Sequence, residues 1–314
     1  MVIDVAILVP CFNEEAAIGK VVEDFKRHVP GSNVFVYDNA STDRTSEVAA
    51  AAGAIVRREP LPGKGNVVRR MFADVEADVY VLVDGDDTYD AASAPLLVRK
   101  LVTESLDLVT GARVETSNQA YRHGHRFGNW LLTTLVAYLF GNRFSDMLSG
   151  YRVLSRRLVK SFPALSAGFE IETELTVHAL QLRVPIAEVE TPYKDRPPGS
   201  QSKLRTVHDG VRILSTIIRL VKEERPFYFF GVVGLVLGAA SLAAGFPVVV
   251  EYTRTGLVPR LPTAVLATGL ALLGFLSLVC GLILDTVTKG RLEQKRMHYL
   301  SISIRRRNDA RPDA

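Results

Sequence analysis

Apolar and polar residues alternate along the first two thirds of the chain in blocks that predict strands and helices in turn. Short runs of β-branched and other apolar residues are each followed by a polar loop and then by apolar residues at helical spacing. The predicted strands cover residues 5–9, 34–37, 54–57, 79–83, 106–110 and 186–189. Because strands alternate with helices, the pattern predicts a mostly parallel α/β sheet with right-handed connections.

The last third of the chain has a different pattern. Apolar residues recur at helical spacing among basic residues over 206–224, which predicts an amphipathic helix lying on a membrane surface. Two uncharged stretches follow, each long enough as a helix to span a hydrocarbon core of about 30 Å. Lys and Arg cluster outside this pair of helices, so the positive-inside rule places both of its ends in the cytoplasm.

These patterns predict four consecutive segments. Residues 1–204 form an α/β domain and 205–225 the interfacial helix, while 226–288 contain two transmembrane helices at about 227–250 and 263–286. Residues 289–314 form a basic cytoplasmic tail. We expect a multi-pass protein of the cell inner membrane with its first domain in the cytoplasm, because the N-terminus enters a strand at once and lacks the features of a signal peptide.

Composition narrows this picture only slightly. The 314 residues are 47% hydrophobic, and a formal net charge of +4 is compatible with anionic lipid, phosphate-bearing substrates or nucleic acid. Cys11 and Cys280 lie far apart in different surroundings, so a structural disulfide is not expected. The motifs, and not the charge, lead us to expect no nucleic-acid partner. A homo-oligomer is compatible with the sequence.

A cluster of carboxylates ends the fourth predicted strand. Asp84, Asp86 and Asp87 follow a continuous apolar run, at the end of the strand where open α/β sheets bind their ligands. Carboxylates this close repel one another unless a cation joins them, and the Asp-x-Asp spacing suits Mg²⁺ or Mn²⁺. Taken alone, the motif is equally an acidic, solvated turn.

Three further loops, each after a predicted strand, would meet this cluster at the same edge of the sheet. They are Pro10-Cys11-Phe12-Asn13-Glu14, Asp38-Asn39-Ala40-Ser41-Thr42-Asp43 and Gly63-Lys64-Gly65. With Asp84-Gly85-Asp86, these motifs resemble those of family-2 glycosyltransferases of the GT-A fold. Ser149-Gly150-Tyr151-Arg152 and the segment 196–203 are similar to later motifs of the polyprenol-phosphate branch, which includes dolichol-phosphate mannose synthases.

The resemblance implies a donor site and a metal site. Pro10, Phe12 and Glu14 would border the nucleotide, Asp38 would accept a hydrogen bond from the base, and Lys64 would lie near the nucleotide. Asp84 and Asp86 would hold the metal that bridges the donor diphosphate. Without the resemblance, Lys64 is equally interpreted as part of a flexible surface turn and Asp38 as part of a helix-capping turn.

A polyprenyl phosphate acceptor needs cations at a membrane surface. The available set comprises Arg113, Arg122, Arg126, Arg196 and Lys203. The resemblance favours Arg113, Arg196 and Lys203, with Arg196 also placed among the catalytic residues beside Asp84, Asp86 and Asp146. Asp146 either orients the acceptor phosphate or the sugar, or caps local structure. Glu170, Glu172 and Glu174 are interpreted as answering a helix dipole and are not placed in the site.

The expected reaction transfers a sugar from a nucleotide-sugar, UDP-hexose, to undecaprenyl or another polyprenyl phosphate at the cytoplasmic face of the bilayer, with inversion. The metal motif departs from the Asp-Ala-Asp-Leu-Gln of mannose synthases, so Asp87 or Thr88 replaces the missing Gln, and mannose is in doubt. The alternatives are a GDP-mannose-dependent polyprenyl-phosphate mannose synthase and, from another class, an inactive membrane-anchored nucleotide-binding scaffold.

Overall fold

The computed structural model describes residues 3–115, 146–168, 170–195, 219, 221–223 and 225–303. The chain divides into two compact units, one formed by residues 1–210 and 295–314 and the other by 211–294. Most of the predicted amphipathic helix lies outside the described residues. So do four of the predicted phosphate-binding residues, namely Arg122, Arg126, Arg196 and Lys203.

Within the described part of the first unit, seven strands form one sheet in the order β3-β2-β1-β4-β6-β5-β7. The strands are β1 (Val5–Cys11), β2 (Asn33–Asp38), β3 (Ile55–Arg58), β4 (Val79–Leu82), β5 (Leu108–Glu115), β6 (Arg152–Ser155) and β7 (Ile186–Tyr193). Strand β6 runs antiparallel to its neighbours β4 and β5, and the other neighbouring pairs are parallel. The predicted mostly parallel α/β sheet is confirmed.

Helices cover both faces of this sheet. They are α1 (Ile18–His28), α2 (Thr45–Ala51), α3 (Lys64–Asp74), α4 (Ala94–Thr103), α5 (Arg156–Ser161) and α6 (Ile171–Leu182). Side chains alternate between the faces along each strand, so Ile7 and Val9 of β1 pack with α1, α2 and α4, whereas Ala6 and Leu8 pack with α3, α5 and α6. Both faces are apolar because both are covered, which explains the continuous hydrophobic runs.

The order of the strands creates a switch point next to β1. Strand β1 lies between β2 and β4, and the chain moves from β1 toward β2 and β3 before it returns to β4 on the other side of β1. The carboxyl ends of β1 and β4 therefore border a topological switch point, where open α/β sheets place their ligands.

Two local predictions are wrong. Asn13, followed by the acidic residues Glu14 and Glu15, predicts the cap of a helix that begins there, but α1 begins at Ile18. Asn13 instead adopts a left-handed conformation, with φ of 53°, and its Oδ1 accepts a hydrogen bond from the backbone N–H of Thr42. Lys64, predicted within a loop, is the first residue of α3. Helix α1 therefore begins later, and α3 earlier, than the local sequence pattern predicts. In both cases the backbone is fixed by contact with another loop.

The second unit contains helix α7 (Pro226–Thr255) and most of helix α8 (Leu261–Ser301), both long and apolar enough to cross a membrane. Gly234 and Gly274 let the two backbones approach closely, and the hydroxyl of Ser277 donates to the carbonyl of Phe230. Large apolar side chains point outward, with Leu235 74% exposed. Helix α8 continues through 289–301, where the sequence places the beginning of the tail.

Candidate active site

The carboxylate of Asp84 lies just beyond β4, between Lys64 and Gly150. Nζ of Lys64 donates a hydrogen bond to Oδ1 of Asp84. A methyl group added at Gly150 would overlap the Asp84 carboxylate, so only glycine lets the segment before β6 lie against it. Lys64 and Gly150 thus enclose the Asp84 carboxylate from two sides at the switch point, an arrangement that we call the Asp84 cradle.

Asp86 and Asp87 have different surroundings. Asp86 is only 5% exposed, and its Oδ1 accepts hydrogen bonds from the hydroxyl of Thr88 at 2.6 Å and from its backbone N–H at 3.3 Å. Asp87 adopts a left-handed conformation and pairs with Lys20 of α1 at 2.8 Å. Asp87 and Thr88 are the residues predicted to replace the missing Gln. In the structure, Asp87 forms an ion pair with Lys20, and Thr88 holds the Asp86 carboxylate in place through hydrogen bonds.

Lys64 joins two carboxylates from different parts of the chain. Its buried ammonium pairs with Asp84 and also with Oε1 of Glu172, which lies in the first turn of α6. Burial acts to lower the pKa of Lys64, but attraction to Asp84 and Glu172 outweighs it and raises that pKa. Lys64 is therefore a fixed positive charge inside the site and not the flexible surface residue that its glycine neighbours allow.

The two glycines beside Lys64 make this burial possible. Gly63 has a φ of 120°, which favours glycine, and a Cβ at either Gly63 or Gly65 would overlap the backbone of residues 166–167. The N–H of Gly65 donates to the carbonyl of Ala167 at 2.9 Å. Glu174 in turn accepts the N–H of Ser166 at 2.7 Å. The Gly-Lys-Gly motif is thus a point of close backbone packing against the segment that leads into α6.

Glu172 is a site residue that the sequence interpretation left out. Its side chain is buried, with the residue 5% exposed, and it contacts the same ammonium as Asp84. Acidic residues at the start of a helix are commonly explained by the helix dipole, and that pattern concealed the difference between Glu172 and its neighbours. The spacing from the Gly-Lys-Gly motif carried no signal, since more than 100 residues separate the partners.

The loop after β2 is held by Asp38 and Asn39. Asp38 is buried, and its carboxylate accepts the N–H of Ser41 at 2.9 Å and the hydroxyl of Ser46 at 2.7 Å. Asn39, also buried, accepts the N–H of Gly63 at 2.7 Å through its side-chain oxygen. Asp38 therefore organises its own loop, as the capping interpretation expected, and Asn39 links that loop to the Gly-Lys-Gly motif.

The loop after β1 places its three predicted residues in different settings. Pro10 is buried within β1, Phe12 is 42% exposed, and Glu14 is buried. The N–H of Glu14 donates to the hydroxyl of Thr45 at 2.8 Å, and its carbonyl accepts the N–H of Ile18 at the start of α1. The β1 and β2 loops are thus joined side by side, and Phe12 projects from them.

Arg113 and Asp146 form a closed pair. Nε of Arg113 donates to Oδ2 of Asp146 at 2.6 Å, and a second guanidinium nitrogen donates to Oδ1 at 2.8 Å. Burial alone would raise the pKa of Asp146, but the hydrogen bonds and charge of Arg113 lower it below its ordinary value. Asp146 is thus a poor proton acceptor, and the backbone N–H of Leu148 also donates to it at 3.2 Å, which matches the predicted capping role.

Arg152 supports the same segment from within. This residue is fully buried, and its guanidinium donates to the carbonyls of Met147 at 2.6 Å and Ser149 at 3.0 Å and to the hydroxyl of Thr176 at 2.8 Å. A buried Arg that binds carbonyls fixes a backbone that would otherwise lack hydrogen bonds. Arg152 therefore holds the 147–150 segment against Asp84.

The residues at the switch point suit a hard divalent cation. Carboxylate oxygens are the ligands that Mg²⁺ and Mn²⁺ prefer, and the ammonium of Lys64 already occupies one oxygen of Asp84 as a cation would. Among the described residues, no group of three or more His, Cys, Asp or Glu side chains is placed to hold a metal. A metal held by Asp84 and Asp86 would complete its coordination with other oxygens, such as those of water or a diphosphate.

Comparison with known proteins agrees with this geometry. Residues 6–162 match the family described as glycosyl transferase family 2. The chain is 34% identical to glycosyltransferase AglJ of Haloferax volcanii over 94% of this chain and 98% of that protein. It is 30% identical to the dolichyl-phosphate hexose transferase of the same organism, over 71% of this chain and 96% of that protein.

The fold is shared with a solved enzyme structure. Glucosyl-3-phosphoglycerate synthase from Mycobacterium tuberculosis, in complex with Mn²⁺, UDP and glucosyl-3-phosphoglycerate, superposes with a TM-score of 0.56 and 27% identity, covering 70% of this chain and 79% of that one. The GT-A-like fold and the relation to the polyprenol-phosphate branch, both expected from the motifs, are confirmed. The chain belongs to glycosyl transferase family 2.

Proposed function

We propose that the protein transfers a sugar from a nucleotide-sugar, UDP-hexose, to a polyprenyl phosphate at the cytoplasmic face of a membrane. The observation that carries this proposal is the pairing of Lys64 with Asp84 at the switch point of a family-2 domain whose chain continues into two long apolar helices. A relative is named for dolichyl-phosphate hexose transfer, and a structure of similar fold holds UDP, which supports the acceptor and donor classes.

The donor would lie across the carboxyl ends of β1, β2 and β4. Asp38 would receive the base, with Pro10, Phe12 and Glu14 along the nucleotide, because these residues lie at the carboxyl ends of β1 and β2, beside the switch point. Phe12 is the most exposed of these residues, at 42%. Lys64 would carry positive charge toward the donor phosphates.

Asp84 and Asp86 would hold the metal, Mg²⁺ or Mn²⁺. When bound, the metal supplies Lewis-acid stabilisation of the departing diphosphate. Thr88 keeps the Asp86 carboxylate in one orientation through two hydrogen bonds, and Gly150 keeps the neighbouring backbone against Asp84. This prior ordering lowers the cost of organising the site around a charged donor.

The acceptor phosphate would approach from the side of Arg113. Asp146 orients that guanidinium through a bidentate pair and does not itself act as a base, because its pKa is low. Arg122, Arg126, Arg196 and Lys203, outside the described residues, remain predicted cations for the lipid phosphate, with Arg196 also predicted to act on the leaving group. Helices α7 and α8 would anchor the chain in the membrane that holds the lipid acceptor.

In the proposed reaction an oxygen of the lipid phosphate attacks the anomeric carbon. The carbon–oxygen bond to the nucleoside diphosphate breaks, its electron pair leaves with the diphosphate, and the products are a polyprenyl-phosphate sugar and a nucleoside diphosphate. A phosphate monoester has a second pKa of about 6, so the nucleophile is already largely ionised and needs no strong base. Single attack gives inversion, as the family resemblance implies.

The test uses purified full-length protein in detergent with Mg²⁺ or Mn²⁺, polyprenyl phosphate and a panel of UDP- and GDP-sugars, with lipid products identified by mass spectrometry. We expect one UDP-hexose to give a lipid-linked product, and D86N to lower the rate roughly 100-fold or more, since the metal stabilises the leaving group. The matched control is E104Q, which removes an exposed carboxylate that pairs with Lys100 on α4.

Each alternative outcome has a distinct meaning. A product from GDP-mannose alone would replace the donor assignment with the mannose synthase alternative. Full transfer by D86N would remove Asp86 from the metal site. Binding of UDP with no product from any donor would favour the scaffold alternative.

A further inference from the structure

The second carboxylate on Lys64 has no evident place in the proposed reaction. Glu172 is buried, comes from α6, and contacts the same ammonium as the metal-site residue Asp84. A lysine that serves only to bind a donor phosphate needs no second internal carboxylate. The contact of one cation with two carboxylates calls for a different explanation.

We propose that Lys64 is an exchangeable internal cation, which neutralises Asp84 when the divalent metal is absent and is retained by Glu172 when the metal takes Asp84. Glu172 is then a positioning residue, because it acts through Lys64. This inference rests on the proposed metal site and adds to it the means by which that site stays neutralised before metal binds.

The charges explain why such an exchange is favourable. Asp84 lies against Gly150 with its side chain 29% exposed, so its carboxylate is partly desolvated and is stabilised by a cation beside it. When a divalent cation arrives, Lys64 and the metal compete for the same oxygens, and repulsion between them favours displacement of the ammonium. The Lys64 side chain is only 9% exposed, so an ammonium that leaves Asp84 needs another anion within reach.

Glu172 meets that need without a large movement. It already contacts the ammonium, so Lys64 has only to release Asp84 and keep Glu172. The backbone of Lys64 is also fixed, because Gly63 and Gly65 pack against residues 166–167. The exchange is thus confined to the side chain.

A permanent structural ion pair is the competing explanation, and the two differ in the sign of their effect on metal affinity. Under exchange, K64M removes a competitor and strengthens metal binding, whereas E172Q leaves Lys64 with Asp84 alone and weakens it. Under the structural explanation, loss of Lys64 disorders Asp84 and weakens metal binding. The double variant K64M/E172Q removes the ammonium and its retaining carboxylate together and so avoids leaving Glu172 buried without its lysine.

The experiment measures Mn²⁺ binding to the full-length protein in detergent by electron paramagnetic resonance of free Mn²⁺, with Mn²⁺ alone and with UDP added. We expect roughly tenfold tighter binding for K64M and K64M/E172Q and roughly tenfold weaker binding for E172Q, as contact between opposite charges of partly buried groups is worth at least that factor. K100M, which removes a partly exposed lysine on α4, is the charge-matched control and should bind like the wild type.

Two results would overturn the inference. If K64M and the double variant both bind Mn²⁺ no more tightly than the wild type, Lys64 does not compete with the metal. If E172Q binds Mn²⁺ as the wild type does, Glu172 does not retain the ammonium. Wild-type protein that binds no Mn²⁺ under either condition would overturn the proposed metal site as well, which separates that failure from failure of the exchange alone.

Discussion

Two ion-pair systems in the first unit differ in how the cation contacts its carboxylate partners. Arg113 and Asp146 form a bidentate pair, in which a planar guanidinium matches both oxygens of one carboxylate. Lys64, in contrast, divides a single ammonium between Asp84 and Glu172. A guanidinium fork has a fixed geometry and an ammonium does not, so the first system is locked and the second leaves its cation able to change partners.

This difference indicates which parts of the site hold shape and which respond to a ligand. The locked pair fixes the end of β5 against the segment that follows residue 145, and it lowers the pKa of Asp146. The shared cation lies where a divalent metal is proposed to bind. A metal that enters beside Asp84 meets a group that can move, whereas a ligand at Arg113 meets one that is already oriented.

The largest expected effect breaks the locked pair. R113M should lower the free energy of unfolding by about 3 kcal/mol, because the buried Asp146 carboxylate loses its guanidinium. E172Q should cost less, because Lys64 keeps Asp84. Denaturant unfolding monitored by far-ultraviolet circular dichroism measures the free energy of unfolding of both variants. Equal losses in the two variants would contradict the distinction between locked and shared pairs.

The second effect concerns the cradle around Asp84. G150A should lower the transfer rate roughly 100-fold, because the added methyl group overlaps the Asp84 carboxylate and displaces it, a shift comparable to a misplaced catalytic group. The matched control is G31A, at a turn where a Cβ meets nothing, although its φ of 82° makes it a slightly strained site. A fully active G150A would show that Asp84 tolerates movement.

A smaller effect is expected at Thr88. T88V removes the hydroxyl that donates to Asp86 at 2.6 Å and keeps the shape of the side chain. We expect a rate about tenfold lower and a higher Mn²⁺ requirement, since loss of a buried hydrogen bond to a charged group costs about 1.5 kcal/mol or more. Titration of the rate against Mn²⁺ checks this, and T88S, which keeps the hydroxyl, should restore most of the activity.

The smallest expected effect concerns His178, a residue of α6 that is not part of the ion pair between Glu172 and Lys64. His178 of α6 is buried, and burial, aided by the positive charges of Lys295 and His298, lowers its pKa to about 3. The unfolded chain takes up a proton near the ordinary value of 6.5 and the folded protein does not, so stability is full above that pH and falls as the pH drops toward 3.

H178Q should remove this dependence and keep a hydrogen-bonding group for Ser161. The wild type should lose about 1 kcal/mol of stability between pH 7.5 and pH 5.5, and the variant should lose less. Thermal unfolding at the two pH values measures this. The same slope in both proteins would show that other groups cause the acid sensitivity.

Most of the fold can be predicted from the sequence, because the spacing of hydrophobic residues and the polar residues at strand ends can both be recognised within short segments of the chain. Strand β4 and its carboxylates, for example, were recognisable from residues 79–87 alone. Glu172 was missed because its meaning depends on Lys64, far away in the chain, and helix-start acids usually have a local explanation. Asn13 failed as a cap for the same reason, since Thr42 of another loop holds its side chain.

The antiparallel strand β6 also could not be predicted locally. Only its two central residues, Val153 and Leu154, are apolar, and its direction depends on how the chain returns to the sheet between β4 and β5. That return brings Gly150 to Asp84. The position of the cradle is thus a product of topology, which a residue pattern does not encode.

The first unit is split in sequence, because residues 295–314 belong to it together with 1–210. The hydroxyl of Tyr299 donates to Asp107 at 2.8 Å, and Arg157 donates to the carbonyl of Ile302 at 2.8 Å. A fragment cut before the apolar helices would lack these contacts. A stable soluble derivative should instead delete the insertion and rejoin the two segments, or receive residues 295–303 as a separate peptide that complements the fragment.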